Sequence, residues 1–376
     1  MENRLDPKLN SYYKKRSFVT SFIGIDPFLW VPNCYYKDGY FYVQDNGLLP
    51  ETKGVSRQKS WILSNDGLKQ AIFAQNFEHY ENILSLIYCA IADHAKIPCM
   101  SSVPAKKVDK SGENEVEGLL SLNVCGGNAS LIGADEIANK GSTIKSLVLA
   151  CEKYVQTQTS MFLDREFKTD LAKLVMFDYL TVGGDKSTFA NYNLASVGVG
   201  QDQMLCVAPA TDNGLCFGLR SKSFWLVRKP ERIMDRVSQI SKGEIEESQN
   251  AFFKEFGSVL PIMPYSETSL DNAKDKEQEF LKQMSIMMLE DNELLQTFEC
   301  LTSINFNEVK GVMQTRHKGL IVGENVYSIC ETLFNHRIKS LASSLNHFRS
   351  LKENEPDEYF KLVDEFQVSD EQELMI

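Results

Sequence analysis

The sequence lacks what a disulfide framework or a zinc site requires. Its nine cysteines are an odd number and no two stand in a C-x-x-C pair, so they read as reduced, mostly buried thiols. The five histidines, His79, His94, His317, His336 and His347, are scattered, with no H-x-x-x-H pair among them, which leaves histidine-ligated metal chemistry without a motif. No apolar run approaches the ~20 residues that span a bilayer, and the opening stretch MENRLDPKLNSYYKKRSF is too charged for a signal peptide. Positive charge is scarce as well: 40 Lys and Arg stand against 51 Asp and Glu, for a net charge of −11. That disfavours general nucleic-acid binding, because contacts to a phosphate backbone need a positive surface. The basic run Tyr12-Tyr13-Lys14-Lys15-Arg16 reads as a solvated terminal segment. A cytosolic protein is expected, in the cytosol of its own cell or, for a delivered effector, of another.

What is present is enough apolar content, 43% of 376 residues, for two lobes and a substantial core. The most informative stretch is 171–219. It runs from the apolar LAKLVMFDYL into a polar loop with Asp185, Asn191 and Asn193, then through a short strand into Asp212-Asn213-Gly214. Phosphoryl transfer asks little covalent chemistry of a protein; it needs a carboxylate to orient the attacking hydroxyl, with an Asn and an Asp to hold Mg²⁺ against the phosphates. Asp185 suits the first task, and Asn191 and Asp212 the second, Asp212 on a turn after a strand as in the kinase D-F-G motif. Each turn alone is ordinary, since G-G, D-G and N-G pairs are common turn formers. The argument lies in their order.

Upstream, residues 78–95 carry Leu84, Ile87, Tyr88 and Ile91 on an i, i+3, i+4, i+7 stripe, which predicts an amphipathic helix ended by Ile97-Pro98. A strand is expected over 60–63, a turn at Asn65-Asp66-Gly67 and a second strand over 69–75. Residues 117–137, around Gly126-Gly127-Asn128, read as a hairpin. Beyond Arg220 the pattern is almost wholly helical, with helices expected over 232–239, 248–256, 274–289 and 326–351. Met284, Met287 and Met288 have the spacing of core packing. The acidic stretch 353–376 reads as a tail or a loosely attached helix.

FDYLTVGGDKSTFANYNL and APATDNG resemble the F-D-x-L-x-x-x-x-D-R-H-x-x-N-x-x-L and A-P-x-Y-D-N-G patterns of the HipA-like kinases, in the phosphatidylinositol 3/4-kinase-like branch of the protein kinase superfamily. The departures are Lys186-Ser187 in place of Arg-His and a longer interval from the Asp to the Asn, which makes Asn193 a rival of Asn191. The resemblance implies an α+β, two-lobed, protein-kinase-like fold with a small antiparallel-sheet N-lobe and a large helical C-lobe. The segments are then a tail over 1–17, an N-lobe over 18–124, a C-lobe over 125–352 and the acidic tail.

It also implies roles. Asp185 orients the acceptor hydroxyl, and Asn191 and Asp212 hold metal. Gly54, Val55, Ser56 and Arg57 cover the ATP phosphates through backbone N–H groups, and Glu81 supports the nucleotide side by pairing with a lysine. The strand 69–75 should end in that phosphate-binding lysine, yet Ala74 occupies the position. A catalytically degenerate relative, an engineered change, or a lysine from elsewhere, Lys69 or Lys59, are the readings left open. The implied function is ATP- and Mg²⁺-dependent phosphorylation of a Ser or Thr hydroxyl of an unidentified protein, with a regulatory or antitoxin-like protein partner. The alternatives are a pseudokinase acting as a nucleotide-binding scaffold, or a kinase for a lipid or small molecule.

Overall fold

The computed structural model of the chain describes residues 28–44, 59–66, 69–75, 79–109, 111–124, 129–138, 144–183, 192–199, 201–211, 216–217 and 270–373. The helices expected over 232–239 and 248–256 lie outside them. The described part is α+β, with an antiparallel-rich sheet region followed by a helical C-terminal region.

Six strands make the first sheet: β1 (Cys34–Lys37), β2 (Tyr40–Gln44), β3 (Lys59–Leu63), β4 (Gln70–Gln75), β5 (Ser102–Val108) and β6 (Glu115–Leu122), in the order β1-β2-β5-β6-β4-β3. Every neighbouring pair is antiparallel except β2 with β5. The hairpin of β3 and β4 forms where the turn signal stands, closed by Ser64 N–H–Lys69 pairing: the Ser64 amide donates to the Lys69 carbonyl and the Lys69 amide to Ser64 Oγ, each at 2.9 Å. Phe41, Val43, Ile62, Ala71, Phe73, Val103, Ala105, Leu120 and Leu122 alternate along their strands and bury one face in a small core. The sheet is tightest at Gly118, where a Cβ would lie 2.2 Å from the Ala74 carbonyl oxygen.

The stretch 117–137 is not a hairpin. Its first half is β6, paired to β4 and β5; its second half holds β7 (Ala129–Gly133), which pairs with β9 (Asn193–Val199) in a separate sheet of order β7-β9-β10-β8. Gly126-Gly127-Asn128 lie outside the described residues, and the strand after them pairs with one some sixty residues downstream rather than with β6. The single strand expected before Asp212 is also a pair, β9 and the antiparallel β10 (Asp202–Val207), with β8 (Met161–Leu163) parallel to β10.

Helix α1 (His79–His94) forms where the stripe predicts, yet residues 81–88 are buried all round. The sheet, at β5 and β6, covers one side, and helices cover the others. The remaining helices are α2 (Ala134–Ile137), α3 (Ile144–Thr157), α4 (Phe167–Leu180), α5 (Leu270–Glu290), α6 (Asn292–Thr302), α7 (Phe306–Arg316), α8 (Glu324–Asn354) and α9 (Pro356–Glu373). All of them except α9 share one large core with α1, into which Met284, Met287 and Met288 pack. No helix among the described residues is long and apolar enough to cross a membrane.

The one charged member of the apolar stripe of α8 is Arg337, 1% exposed. Its guanidinium pairs with Glu277 of α5 and lies 4.5 Å from the ring centre of Tyr179 on α4, whose hydroxyl donates to the same Glu277 carboxylate at 2.8 Å. Three helices are thus tied by one buried ionic contact. The acidic stretch, read as a tail or a loosely attached helix, forms helix α9, pinned by Tyr359, which is buried against Ile286 and Phe348. At the far edge of the first sheet, the turn between β1 and β2 meets the loop between α7 and α8. Gly39 (φ +84) and Gly319 (φ +97) touch backbone to backbone, a Cβ on Gly39 would lie 2.7 Å from the Gly319 carbonyl carbon, and the Tyr36 hydroxyl donates to the Lys318 carbonyl at 3.0 Å. Only glycine combines a positive φ with so close an approach.

Candidate functional site

Asp185 and Asn191 fall in 184–191, Asp212 in 212–215, and Gly54, Val55, Ser56 and Arg57 in 45–58, all outside the described residues. The frame that holds the ends of the first two segments is described, and it brings them together.

Residues 171–180 of α4 are buried without exception, as expected of a helix apolar on all faces. The helix ends at Thr181, whose amide and hydroxyl both donate to the Phe177 carbonyl, at 2.9 and 2.8 Å. Val182 follows at φ +52, and the Gly183 amide donates back to the Asp178 carbonyl at 2.8 Å. A buried β-branched residue with positive φ is strained backbone held by its surroundings, and such positions cluster at functional sites. Beyond 212–215, Phe217 repeats the pattern, buried and at φ +54, and its amide donates to the Thr181 carbonyl at 2.6 Å. The chain leaving the Asp212 turn is thereby fastened to the chain leading into the Asp185 loop.

The other two ends are fastened to each other as well. Asn193 opens β9, and its side-chain amide donates to Thr211 Oγ1 at 2.7 Å, while the Ala208 amide donates to the Asn193 carbonyl at 3.0 Å. Thr211 immediately precedes Asp212. Asn193, the rival of Asn191, therefore spends its NH₂ group on joining the two stems. The segment before Thr211 also reaches the end of α1: Cys99 bridges Ala210 in parallel register, with the Ala210 amide donating to the Pro98 carbonyl and the Met100 amide to the Ala210 carbonyl, each at 2.9 Å.

Beneath the stems lies a buried polar cluster. Tyr88 of α1 donates its hydroxyl to Asp178 Oδ1 of α4 at 2.7 Å, and its ring packs 4.5 Å from that of Phe177. Burial first, and then the Asp178 charge, push the Tyr88 and Tyr192 hydroxyls far above the usual tyrosine value, so both remain protonated donors. Tyr192 stands directly after the Asp185–Asn191 loop. The cluster thus ties α1, α4 and the start of β9 together. Tyr88→Phe is expected to cost about 2 kcal/mol of stability, the usual worth of a hydrogen bond to a charged group; an unchanged urea midpoint would remove the cluster from this frame.

Of the nucleotide-side residues, Glu81 sits in the first turn of α1, 3% exposed. Its neighbour Asn82 donates to Glu117 Oε1 on β6 at 3.2 Å, and Tyr40 donates to the same oxygen at 3.3 Å. Burial, followed by the Glu117 charge, lifts the Tyr40 hydroxyl to about 12. Ala74 lies near the end of β4, half-buried. Lys69 is exposed in the β3–β4 turn, at the opposite end of that strand. Five residues at about 3.3 Å each separate it from Ala74, so the fold does not bring Lys69 beside Glu81.

Sequence reasoning read Tyr88 only as part of an apolar stripe and Asp178 only as a motif letter, and it passed over Tyr192 and Thr211. A usable signal existed for Asp178: one carboxylate inside ten otherwise core-forming residues must find a buried donor.

No protein-family model matches the chain, and no curated protein does. Solved structures similar to it include two kinase-related proteins. One is the Helicobacter pylori proinflammatory kinase CtkA, 12% identical with a TM-score of 0.47, the match covering 77% of this chain and 93% of that one. The other is HipA of the Shewanella oneidensis MR-1 toxin–antitoxin system, in a complex with HipB and its operator DNA, 9% identical with a TM-score of 0.36, covering 79% of this chain and 66% of that one. At these scores the likenesses do not by themselves define a shared fold or activity.

Proposed function

We propose that the chain is a kinase-type phosphotransferase that uses ATP and Mg²⁺. The observation that carries the reading is the joining of the two motif stems: the Phe217–Thr181 and Asn193–Thr211 hydrogen bonds bind the segment holding Asp185 and Asn191 to the segment holding Asp212. Residues far apart in sequence are anchored on one frame, as a phosphoryl-transfer site requires.

The donor set fits a hard cation, since Asp212 and Asn191 offer oxygen ligands only, the preference of Mg²⁺. Mg·ATP, when bound, supplies a phosphoryl group whose charge the metal neutralises. Asp212 and Asn191 hold the metal; Asp185 orients the acceptor hydroxyl and takes up its proton. Glu81 fixes a cation on the phosphate side, and Gly54, Val55, Ser56 and Arg57 offer backbone N–H groups to the phosphates. A protein Ser or Thr as acceptor, and a regulatory or antitoxin-like partner, belong to the same proposal on the sequence resemblance alone.

The test is ATP binding in the presence and absence of Mg²⁺, by calorimetry, on the parent chain and Asp212→Ala. The parent is expected to bind ATP in a Mg²⁺-dependent way and the variant at least about tenfold more weakly, since one carboxylate leaves the metal. ATP binding without any Mg²⁺ dependence, or equal affinities, would reduce the Asp212-Asn213-Gly214 segment to an ordinary turn. Binding without transfer to any protein or lipid would move the reading to a nucleotide-binding scaffold, the alternative that Ala74 favours.

A further inference from the structure

The strand that should carry the phosphate-binding cation ends in Ala74, and the sheet register shows what stands beside it. Lys59, the first residue of β3, is directly opposite Ala74, and Leu119 of β6 is directly opposite Ala74 on its other side. Residues directly opposed in an antiparallel pair project from the same face. Lys59, Ala74 and Leu119 therefore form one row across three strands.

The face of that row follows from its neighbours. Phe73, Ile62, Leu120 and Leu122, an odd number of residues out of step, fill the small core on the far side. Leu119 instead belongs to the large core with Ile83, Leu84 and Ile87 of α1. The row faces α1. It also lies at the end of the sheet where α1 begins, because Asn82 donates to Glu117, two residues from Leu119 on the same face of β6. Glu81, buried in the first turn of α1, is on this side together with Glu117. Lys59 follows Gly54, Val55, Ser56 and Arg57 in sequence by two residues, and its position is set by its pairing with Ala74.

We infer that Lys59 supplies from β3 the phosphate-binding ammonium that β4 lacks at Ala74. The cation has moved sideways by one strand, about 4.8 Å, a displacement that the flexible four-carbon stem of lysine spans. The methyl group of Ala74 leaves the space over the row to that stem. Lys69 is excluded from the role by its place at the other end of β4. The inference rests on the nucleotide-binding reading above and makes the chain a charge-relocated phosphate binder rather than a damaged one.

The test moves the charge. Calorimetric titrations with Mg·ATP and with adenosine compare the parent with Lys59→Met, Ala74→Lys and the double variant Lys59→Met/Ala74→Lys. Lys59→Met is expected to weaken Mg·ATP about ten- to a hundredfold, the scale of one charge-assisted contact, while leaving adenosine affinity unchanged. The double variant is expected to regain most of the loss, because the ammonium returns to the same row from β4. A structural role for Lys59 would weaken adenosine equally and would not be rescued from position 74. Equal Mg·ATP affinity in parent and Lys59→Met overturns the inference, as does a loss on Lys69→Met with Lys59→Met silent. A parent that binds neither Mg·ATP nor adenosine overturns the nucleotide-binding reading itself, a result distinct from the others.

Discussion

Asp185→Ala is expected to lower phosphate transfer by about two to four orders of magnitude, the usual scale for a positioned acid–base group, while Mg·ATP affinity stays close to that of the parent. The two effects separate because Asp185 faces the acceptor hydroxyl in the proposed arrangement, whereas the metal is held by Asn191 and Asp212. A hydroxyl left without its carboxylate still meets the γ-phosphoryl group, but it is neither oriented nor relieved of its proton as the bond forms. The expectation follows from the frame: the segment with Asp185 starts at the strained Val182 and ends at Tyr192, both buried and both fixed by contacts to α4. Calorimetry for ATP and mass spectrometry for autophosphorylation, on the same preparations, give the two readouts. Equal transfer by variant and parent would take Asp185 out of the mechanism; a parallel loss of binding would turn it into a ligand.

The second large effect concerns stability. Arg337→Ala is expected to cost about 3–5 kcal/mol, the penalty for removing one partner of a buried ion pair and leaving the other charge uncompensated. Glu277 would keep the Tyr179 hydroxyl on its Oε1 but lose the guanidinium, and the ring of Tyr179 would lose the cation packed on its face. Since Tyr179 stands on α4 one turn before the Asp185 segment, the damage is expected to reach the site. Replacing both charges with apolar groups, as in Arg337→Met/Glu277→Leu, is expected to recover much of the loss, because an apolar core of similar volume needs no compensating charge. Guanidinium unfolding midpoints decide it. A single variant as stable as the parent would show that the pair is incidental.

The elements that could be read from sequence were those fixed by local rules. Helix α1 announced itself through its stripe and Pro98, and the β3–β4 hairpin through Asn65 and Asp66. What depended on long-range pairing was not legible. Residues 117–137 carried a turn signal that local reasoning turned into a hairpin, whereas β7 is paired with β9. The burial of α1 on every side was equally hidden, because its outer face is covered by helices from the other end of the chain. At the site, the order of Asp185, Asn191 and Asp212 was legible, as was the absence of a lysine at 74. The row of Lys59 beside Ala74 required the register, and the Tyr88–Asp178 bond joins residues ninety apart. Polar pairs of this kind leave at most one odd residue in an apolar pattern, and a single sequence does not say which other residue answers it.

The glycine contact between the β1–β2 turn and the loop before α8 has a mechanical consequence. It fastens the sheet to the helices at the β1 edge, by main chain against main chain and by Tyr36 on Lys318. The opposite edge is β3. Six strands give five spacings of about 4.8 Å, a lever arm of roughly 24 Å. A tilt of about ten degrees around the fastened edge therefore carries β3 through about 4 Å at this strand spacing, more than any other strand of the sheet. Lys59 rides at the end of that lever, so a small rocking of the sheet is geared into a large stroke of the one side chain proposed to meet the phosphates.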